Sequence, residues 1–140
     1  MRILPPVLAA IIGCLAPTVS ASAQDAGIEA AGAAEFRNSC VVCHGNDARG
    51  TGPMAEVLKV KPADLTALSK NNRGEFPFRK VLDVIDGSSV VTGHGNREMP
   101  AWGDRFQFQA GAKYGPYGSE TVVRARILEL VYYLQSIQKP

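Results

Sequence analysis

The clearest periodic pattern lies near the C-terminal end of the chain, in the segment SETVVRARILELVYYLQSIQK. Its apolar residues recur at alternating steps of four and three, and they are Val123, Ile127, Leu130, Leu134 and Ile137. This spacing places them on one face of an α-helix. Ser119 opens the segment and is a suitable N-cap, so the pattern predicts a helix that begins at Ser119.

A second helix is predicted in the segment FPFRKVLDVIDG, residues 76–87. Pro77 suits the first turn, and Gly87 is a suitable end. Its apolar face comprises Phe78, Val81, Leu82 and Ile85.

A third helix is expected from about Ala30, because Gly32, Phe36 and Cys40 stand at steps of four and share one face. The run Gly45-Asn46-Asp47 is a stop signal, so this helix should end near Cys43 or His44.

The remaining segments are rich in glycine and proline. Residues 45–76 and 88–104 are expected to be mostly loop, and GAKYGPYG, residues 111–118, a turn region. Short helical turns are predicted in MAEVLKV and in PADLTALS, the latter capped by Asp64 or Thr66. No segment has a convincing strand pattern. The chain is therefore predicted to be all-α, with few helices, long loops and a core so limited that something else fills its centre.

Composition agrees with a folded globular protein. A length of 140 residues argues for one domain, and 46% apolar with 20% charged residues is ordinary for a soluble protein. The formal net charge is only +2 and no long basic run occurs, which argues against a nucleic-acid partner.

The first 23 residues are expected to be a signal peptide rather than part of the fold. Arg2 is followed by an apolar stretch and by the small residues Ala21-Ser22-Ala23, an A-x-A cleavage pattern. Residues 24–31 would then be a loose leader and residues 32–140 the functional domain. Export of this kind indicates a bacterial periplasm. The alternative is that Cys14 ends a lipoprotein cleavage box, in which case a lipid on Cys14 would tether the protein to a membrane.

The strongest chemical signal is the stretch CVVCH, residues 40–44. A thioredoxin-like pair needs a neighbouring strand, a zinc site needs about four ligands, and a plain disulfide does not need the histidine. The remaining interpretation is covalent haem attachment. Cys40 and Cys43 would bind the two vinyl groups of one haem c, and His44 would ligate its iron.

The sequence from about Gly32 onwards resembles the class I c-type cytochromes, particularly the monohaem bacterial members. Gly32, Phe36 and CVVCH resemble the first helix and haem-binding motif of the family, and Leu130 and Tyr133 resemble the residues of the last helix that cross it. The segments GTGP, PADLT, VLDVIDG and MPAWG resemble the landmarks between them. The resemblance implies a cytochrome c fold whose loops wrap around one covalently bound haem.

Met99 is the predicted second iron ligand. It lies in a loop far along the chain from Cys43 and precedes Pro100, as the ligand methionine often does in the resembling family. Met54 is only ten residues after His44 and is expected to stay on the histidine side. The rival ligand is His94, which would lower the reduction potential compared with a methionine.

Three further residues are expected to support the haem. The Pro53 carbonyl is predicted to accept the other N–H of His44, a role that prolines have in the resembling family. Trp102 and Arg97 are predicted to bond the haem propionates, with core packing and a solvated loop charge as the respective alternatives.

These residues predict a periplasmic electron carrier rather than an enzyme, because an iron with two protein ligands has no open site. Its partners would be redox proteins that bind transiently, and the protein would be a monomer. One alternative is a haem enzyme or gas-binding protein with an open distal site. Another is a cytochrome subunit of a larger dehydrogenase or oxidase.

Overall fold

The computed structural model describes residues 21–89 and 102–140. Its α-helices are α1 (Ala21–Ser39), α2 (Val41–His44), α3 (Phe78–Asp86) and α4 (Trp102–Ser136). Three short 3-10 helices lie between α2 and α3, at Pro53–Glu56, Leu65–Ala67 and Lys70–Asn72. No strand occurs in these two ranges, and the all-α prediction is confirmed.

Several predicted features lie outside the described residues. They are most of the signal peptide with Cys14, and the loop residues His94, Arg97 and Met99. In the ranges that the structure does describe, no helix is both long enough and apolar enough to cross a membrane.

Helix α1 is longer than the sequence pattern indicated. Residues 24–31 were expected to form a loose leader, but the structure places them inside α1, which begins at Ala21 instead of about Ala30. The physical reason is composition, because alanine has the highest helix propensity and this segment is rich in it. The later part of α1 contacts the core, where Phe36 is 1% exposed.

The contact between α1 and α4 organises the molecule. A Cβ atom added to Gly32 would overlap the backbone carbonyl of Glu129 and approach the Tyr133 Cβ at 2.8 Å. The Phe36 and Tyr133 rings lie 5.4 Å apart, centroid to centroid. The two helices therefore cross at the small residue that the sequence pattern indicated, and Leu130, 1% exposed, lies in the core beside the crossing.

Helix α3 has the predicted bounds. It begins at Phe78 after Pro77 and ends at Asp86, and the C-cap Gly87 has a φ of 92° that is readily adopted only by glycine. Val81 and Ile85 are buried, as the apolar pattern predicted. This face packs against α4 and contributes to one core cluster. The buried members of that cluster are Phe36, Ala48, Val81, Ile85, Phe106, Ala110, Val123, Ile127, Leu130, Val131 and Leu134.

Helix α4 extends beyond the predicted segment in the N-terminal direction. Residues 102–104 were expected to be loop and residues 111–118 a turn region, but the chain is helical from Trp102 up to a kink at Gly115. Gly103, in the first turn of α4, allows a close approach to α3, because a Cβ atom at this residue would lie 2.6 Å from the Asp86 carbonyl oxygen. Helix α4 therefore begins in direct contact with the end of α3.

Candidate haem-binding site

The cysteine and histidine residues of CVVCH are held on a nearly continuous helical path. Cys40 N donates to the Phe36 carbonyl at 2.9 Å, and His44 N donates to the Cys40 carbonyl at 2.9 Å. Helix α2 thus follows α1 after a turn at Cys40, and Gly45 ends it with a φ of 77°. The predicted end of the helix near His44 is confirmed.

The loop after α2 folds back over the CVVCH turn. Gly52 N donates to the Cys43 carbonyl at 3.1 Å, and Gly50 N donates to the His44 carbonyl at 2.8 Å. A Cβ atom at Gly52 would lie 2.5 Å from the Val41 carbonyl oxygen and 2.6 Å from that of Val42. This close approach requires glycine, and it fixes the loop against the helix that carries His44.

His44 is 7% exposed, and its Nδ1 lies 3.1 Å from the Ala63 carbonyl oxygen. Because a carbonyl can only accept, Nδ1 donates, and the neutral ring then carries its lone pair on Nε2. A metal-ligating histidine typically has its second ring nitrogen fixed in this way.

The hydrogen-bond acceptor is not the one predicted from the sequence. Pro53 was expected to supply it, but Pro53 is exposed at the start of a 3-10 helix and the bond goes to Ala63. The reason lies in the loop, where Leu65 N donates to the Ala48 carbonyl at 2.8 Å. That bond holds the segment of Ala63 beside the loop that follows α2. Pro53 serves instead to begin the 3-10 helix, for which its fixed φ is suited.

Both cysteines of the motif are free thiols, and each is partly exposed. Burial, followed by the nearby charges of Glu35 and Cys43, raises the pKa of the Cys40 thiol to about 12. Cys40 therefore stays protonated at neutral pH. A protonated thiol is a weak nucleophile, so it is a poor partner for disulfide exchange.

His44 lines a cleft of about 900 Å³, a volume that is measured out to the open mouth of the cleft. Most of its lining residues are aliphatic, and a few are polar. The apolar residues are Leu65, Leu68, Val81, Val84, Ile85 and Leu134, and the polar ones are Asn71, Asn72 and Lys80.

These residues fit a haem. The group is a large apolar disc with charged propionates on one edge, and the cleft offers aliphatic walls together with a few polar side chains. His44 supplies an oriented imidazole in the cleft wall. Cys40 and Cys43 supply two unpaired thiols on the same helical path. His44 would bind the iron and the cysteines would hold the porphyrin covalently.

Trp102 lies at the start of α4, where its ring packs 5.6 Å from that of Phe106 and carries the Arg105 guanidinium 5.0 Å from its centroid. It is partly buried and is not among the described residues that line the cleft. These contacts agree with the alternative role of Trp102, which is core packing. Its bond to a haem propionate stays a prediction. The roles of Met99 and Arg97 also stay predictions, because both lie outside the described residues.

Sequence reasoning missed Ala63 and did not single out Gly52. Ala63 acts through its backbone carbonyl, so its side chain gives no signal. Gly52 stands within the GTGP segment, where the glycine was recognised only as a sign of a loop. Its close contact with α2 depends on how the loop returns, which is a tertiary feature.

Comparisons with known proteins identify the family of this chain. Residues 28–114 match a protein-family model described as cytochrome c oxidase, cbb3-type, subunit III. No curated protein and no solved structure matches the chain. The family match spans more than half of the sequence and includes CVVCH, Gly52, Ala63 and α3. The chain therefore belongs to this family of c-type cytochrome domains, and it is a haem-binding electron-transfer cytochrome of class I.

Proposed function

We propose that this protein is a periplasmic monohaem cytochrome that carries single electrons between redox partners, with His44 and Met99 as the iron ligands. The observation that carries the proposal is the buried His44 ring, fixed by the Ala63 carbonyl in the wall of an aliphatic cleft. A ring held in this way can bind iron without reorganising when the charge changes. The bound haem supplies the redox chemistry, a gain or loss of one electron.

The protein contributes orientation and exclusion of water. The Ala63 carbonyl fixes the direction of the His44 ring, and the aliphatic cleft walls disfavour the additional positive charge of the oxidised state. A methionine ligand acts in the same direction, because thioether sulfur favours ferrous iron. The combination favours a carrier of comparatively high potential with no open iron site. It therefore favours electron transfer over an enzymatic role.

Met99 is chosen because few alternatives remain after export. Removal of residues 1–23 leaves Met54 and Met99 as the methionines and His94 as the additional histidine. Met54 lies in the 3-10 helix after the loop that folds over α2, where its side chain is 41% exposed. Such exposure does not suit a ligand enclosed by a haem pocket.

The test is replacement of each candidate ligand in the haem-loaded protein. Met99→Ala should abolish the sulfur-to-iron absorption band and lower the reduction potential, whereas Met54→Ala and His94→Ala should leave both unchanged. A changed haem spectrum and reduction potential in His94→Ala, with Met99→Ala unaffected, would contradict the assignment. Rapid binding of carbon monoxide by the reduced parent protein would instead indicate an open distal site.

The same preparation tests the expected export. Its intact mass should correspond to a chain beginning at Gln24 plus one haem. A chain that begins at a lipid-modified Cys14 would replace the free periplasmic carrier by a membrane-tethered one.

A second candidate role follows from the description of the matching family, which names an oxidase subunit. In that role the chain would deliver electrons within a stable complex. Size-exclusion chromatography of the protein from its own host distinguishes the two: a monomer supports the carrier, and co-elution with an oxidase supports the subunit.

A further inference from the structure

An ion pair with little solvent exposure links α1 to α4 close to Cys40. Arg126 donates to Glu35 Oε2 from Nη2 at 2.9 Å and from Nε at 3.0 Å. The two side chains are only 25% and 13% exposed, respectively. Water screens such a pair much less than a surface pair, so its charges act over a longer distance.

Additional contacts hold both charges in place. Ser39 Oγ donates to Glu35 Oε1 at 2.6 Å, and Arg126 Nη1 donates to Gln109 Oε1 at 3.0 Å. The guanidinium carbon also lies 3.8 Å from the centroid of the Phe106 ring. Each carboxylate oxygen therefore has its own donor, and the arginine has packing as well as charge to fix it.

The pair lies beside a haem-attachment residue. Glu35 precedes Cys40 by five residues on the helical path of α1, which corresponds to about 7.5 Å along the helix axis. The charge of Glu35 contributes to raising the pKa of the Cys40 thiol, second to burial. The negative charge of Glu35 therefore acts on the sulfur atom to which the porphyrin would be joined.

We propose that Glu35 and Arg126 tune the reduction potential of the haem as two opposed charges. A negative charge near the iron favours its oxidised state, and a positive charge favours its reduced state. Glu35 therefore lowers the potential, and Arg126 offsets that effect. The proposal rests on the electron-transfer function described above, but it does not depend on which residue is the second iron ligand.

The experiment removes each charge in turn from the haem-loaded protein and measures the potential by spectroscopic redox titration at pH 7. Glu35→Gln should raise the potential and Arg126→Gln should lower it. Each change should shift the ratio of reduced to oxidised protein at a fixed ambient potential on the order of tenfold, as expected for the removal of one poorly screened unit charge close to the haem. The double variant should return close to the parent value.

The opposite signs separate electrostatic tuning from structural damage. Loosening the contact between α1 and α4 would expose the haem and move both single variants in the same direction. Arg126→Lys keeps the charge, and Ser39→Ala removes only a hydrogen bond, so both should stay near the parent potential. They also test the proposal if a glutamine variant fails to accumulate, because a large shift in either would contradict it.

A matched control is available on the surface of α4. Glu120 and Arg124 also form an ion pair, but their side chains are 67% and 71% exposed. Glu120→Gln and Arg124→Gln should leave the potential unchanged. Shifts of equal sign in the Glu35 and Arg126 variants, or shifts no larger than these controls, would overturn the proposal. A protein without covalent haem would contradict the proposed function instead, and its intact mass would reveal that.

Discussion

At the scale of single residues, the site depends on backbone groups as much as on side chains. His44 is oriented by the carbonyl of Ala63, and Gly52 allows the preceding loop to approach α2. The residue next to Ala63 is Asp64, whose carboxylate accepts from the Thr66 backbone N–H at 2.8 Å and from its hydroxyl at 2.7 Å. Asp64 was predicted as a cap, and the structure confirms it. This cap therefore stabilises the segment that orients the histidine.

Replacing Asp64 should affect stability in a pH-dependent way. Hydrogen bonds from Thr66, first from its hydroxyl and then from its backbone, lower the pKa of Asp64. A lowered pKa means that the ionised carboxylate stabilises the fold above its unfolded pKa of about 3.9, and that this stabilisation is lost as the pH falls through the folded pKa. Asp64→Ala should lower the free energy of unfolding by about 1 kcal/mol at pH 7. The difference should narrow below about pH 4.

Urea unfolding of the haem-loaded protein at several pH values provides the measurement. Asp64→Asn is the control, since it keeps an acceptor oxygen without a titrating carboxyl. It should lose less stability than Asp64→Ala at neutral pH. If the loss of unfolding free energy in Asp64→Ala stays constant from pH 7 to pH 3, the ionised carboxylate is not the source of the stabilisation.

At the scale of whole elements, local signals predicted α3 well and α4 only in part. Proline and glycine mark both ends of α3, and its apolar face is uninterrupted. In α4 the segment GAKYGPYG was expected to be a turn, yet only Gly115 leaves the helical conformation, with φ 68° and ψ −179°. That conformation is essentially restricted to glycine, and Pro116 disfavours a helical residue before it. The break was located correctly, but its extent was overestimated.

The helix before that break was missed because its stability comes from tertiary contacts. Phe106 is fully buried and Ala110 nearly so, but the Phe108 side chain is 87% exposed. The exposed aromatic residue disrupts the apolar pattern that would have indicated an amphipathic helix. Similarly, α1 extends into the predicted leader because of its alanine content, although residues 25–30 bury little.

The crossing of α1 and α4 should not tolerate a larger residue at Gly32. Gly32→Ala would place a methyl group onto the Glu129 carbonyl, so the helices would have to separate. Overpacking of this kind costs about 1–3 kcal/mol, and we expect such a decrease in the free energy of unfolding. Chemical denaturation followed by far-UV circular dichroism measures it.

Gly27→Ala is a matched control in the same helix. No atom lies within 4 Å of the added Cβ, and alanine has the higher helix propensity. This variant should be as stable as the parent or slightly more so. Equal losses for the two variants would show that the effect comes from the helix itself and not from the crossing.

At the scale of the whole molecule, helices and loops enclose a cleft that side chains do not fill. The aliphatic walls come from α3, α4 and the loop after Pro62, and they converge on His44. An empty apolar cavity costs about 24 cal/mol per Å³, so a cavity of a few hundred Å³ would cost several kcal/mol. That is comparable to the total stability of a small domain, about 5–15 kcal/mol. The fold and its cofactor are therefore expected to be one cooperative unit.

Preventing covalent attachment should test this coupling. Cys40→Ser combined with Cys43→Ser removes both thiols from the turn before His44, and the serine hydroxyl cannot form the thioether. The purified variant should have the mass of the polypeptide alone. It should also unfold at a much lower temperature than the haem-loaded parent and over a broader range, because the cleft walls lose the group that they enclose. Mass spectrometry and differential scanning calorimetry measure the two effects.

Val42→Ser serves as the control for this experiment, since Val42 lies between the two cysteines and is 51% exposed. It introduces the same hydroxyl into the same turn while leaving both thiols, and it should retain the haem and the cooperative transition. If the double cysteine variant lacks haem but still unfolds sharply at the parent's temperature, the polypeptide core is sufficient without the cofactor. In that case the cleft walls must close on one another, and packing around His44 would have to differ from the arrangement described above.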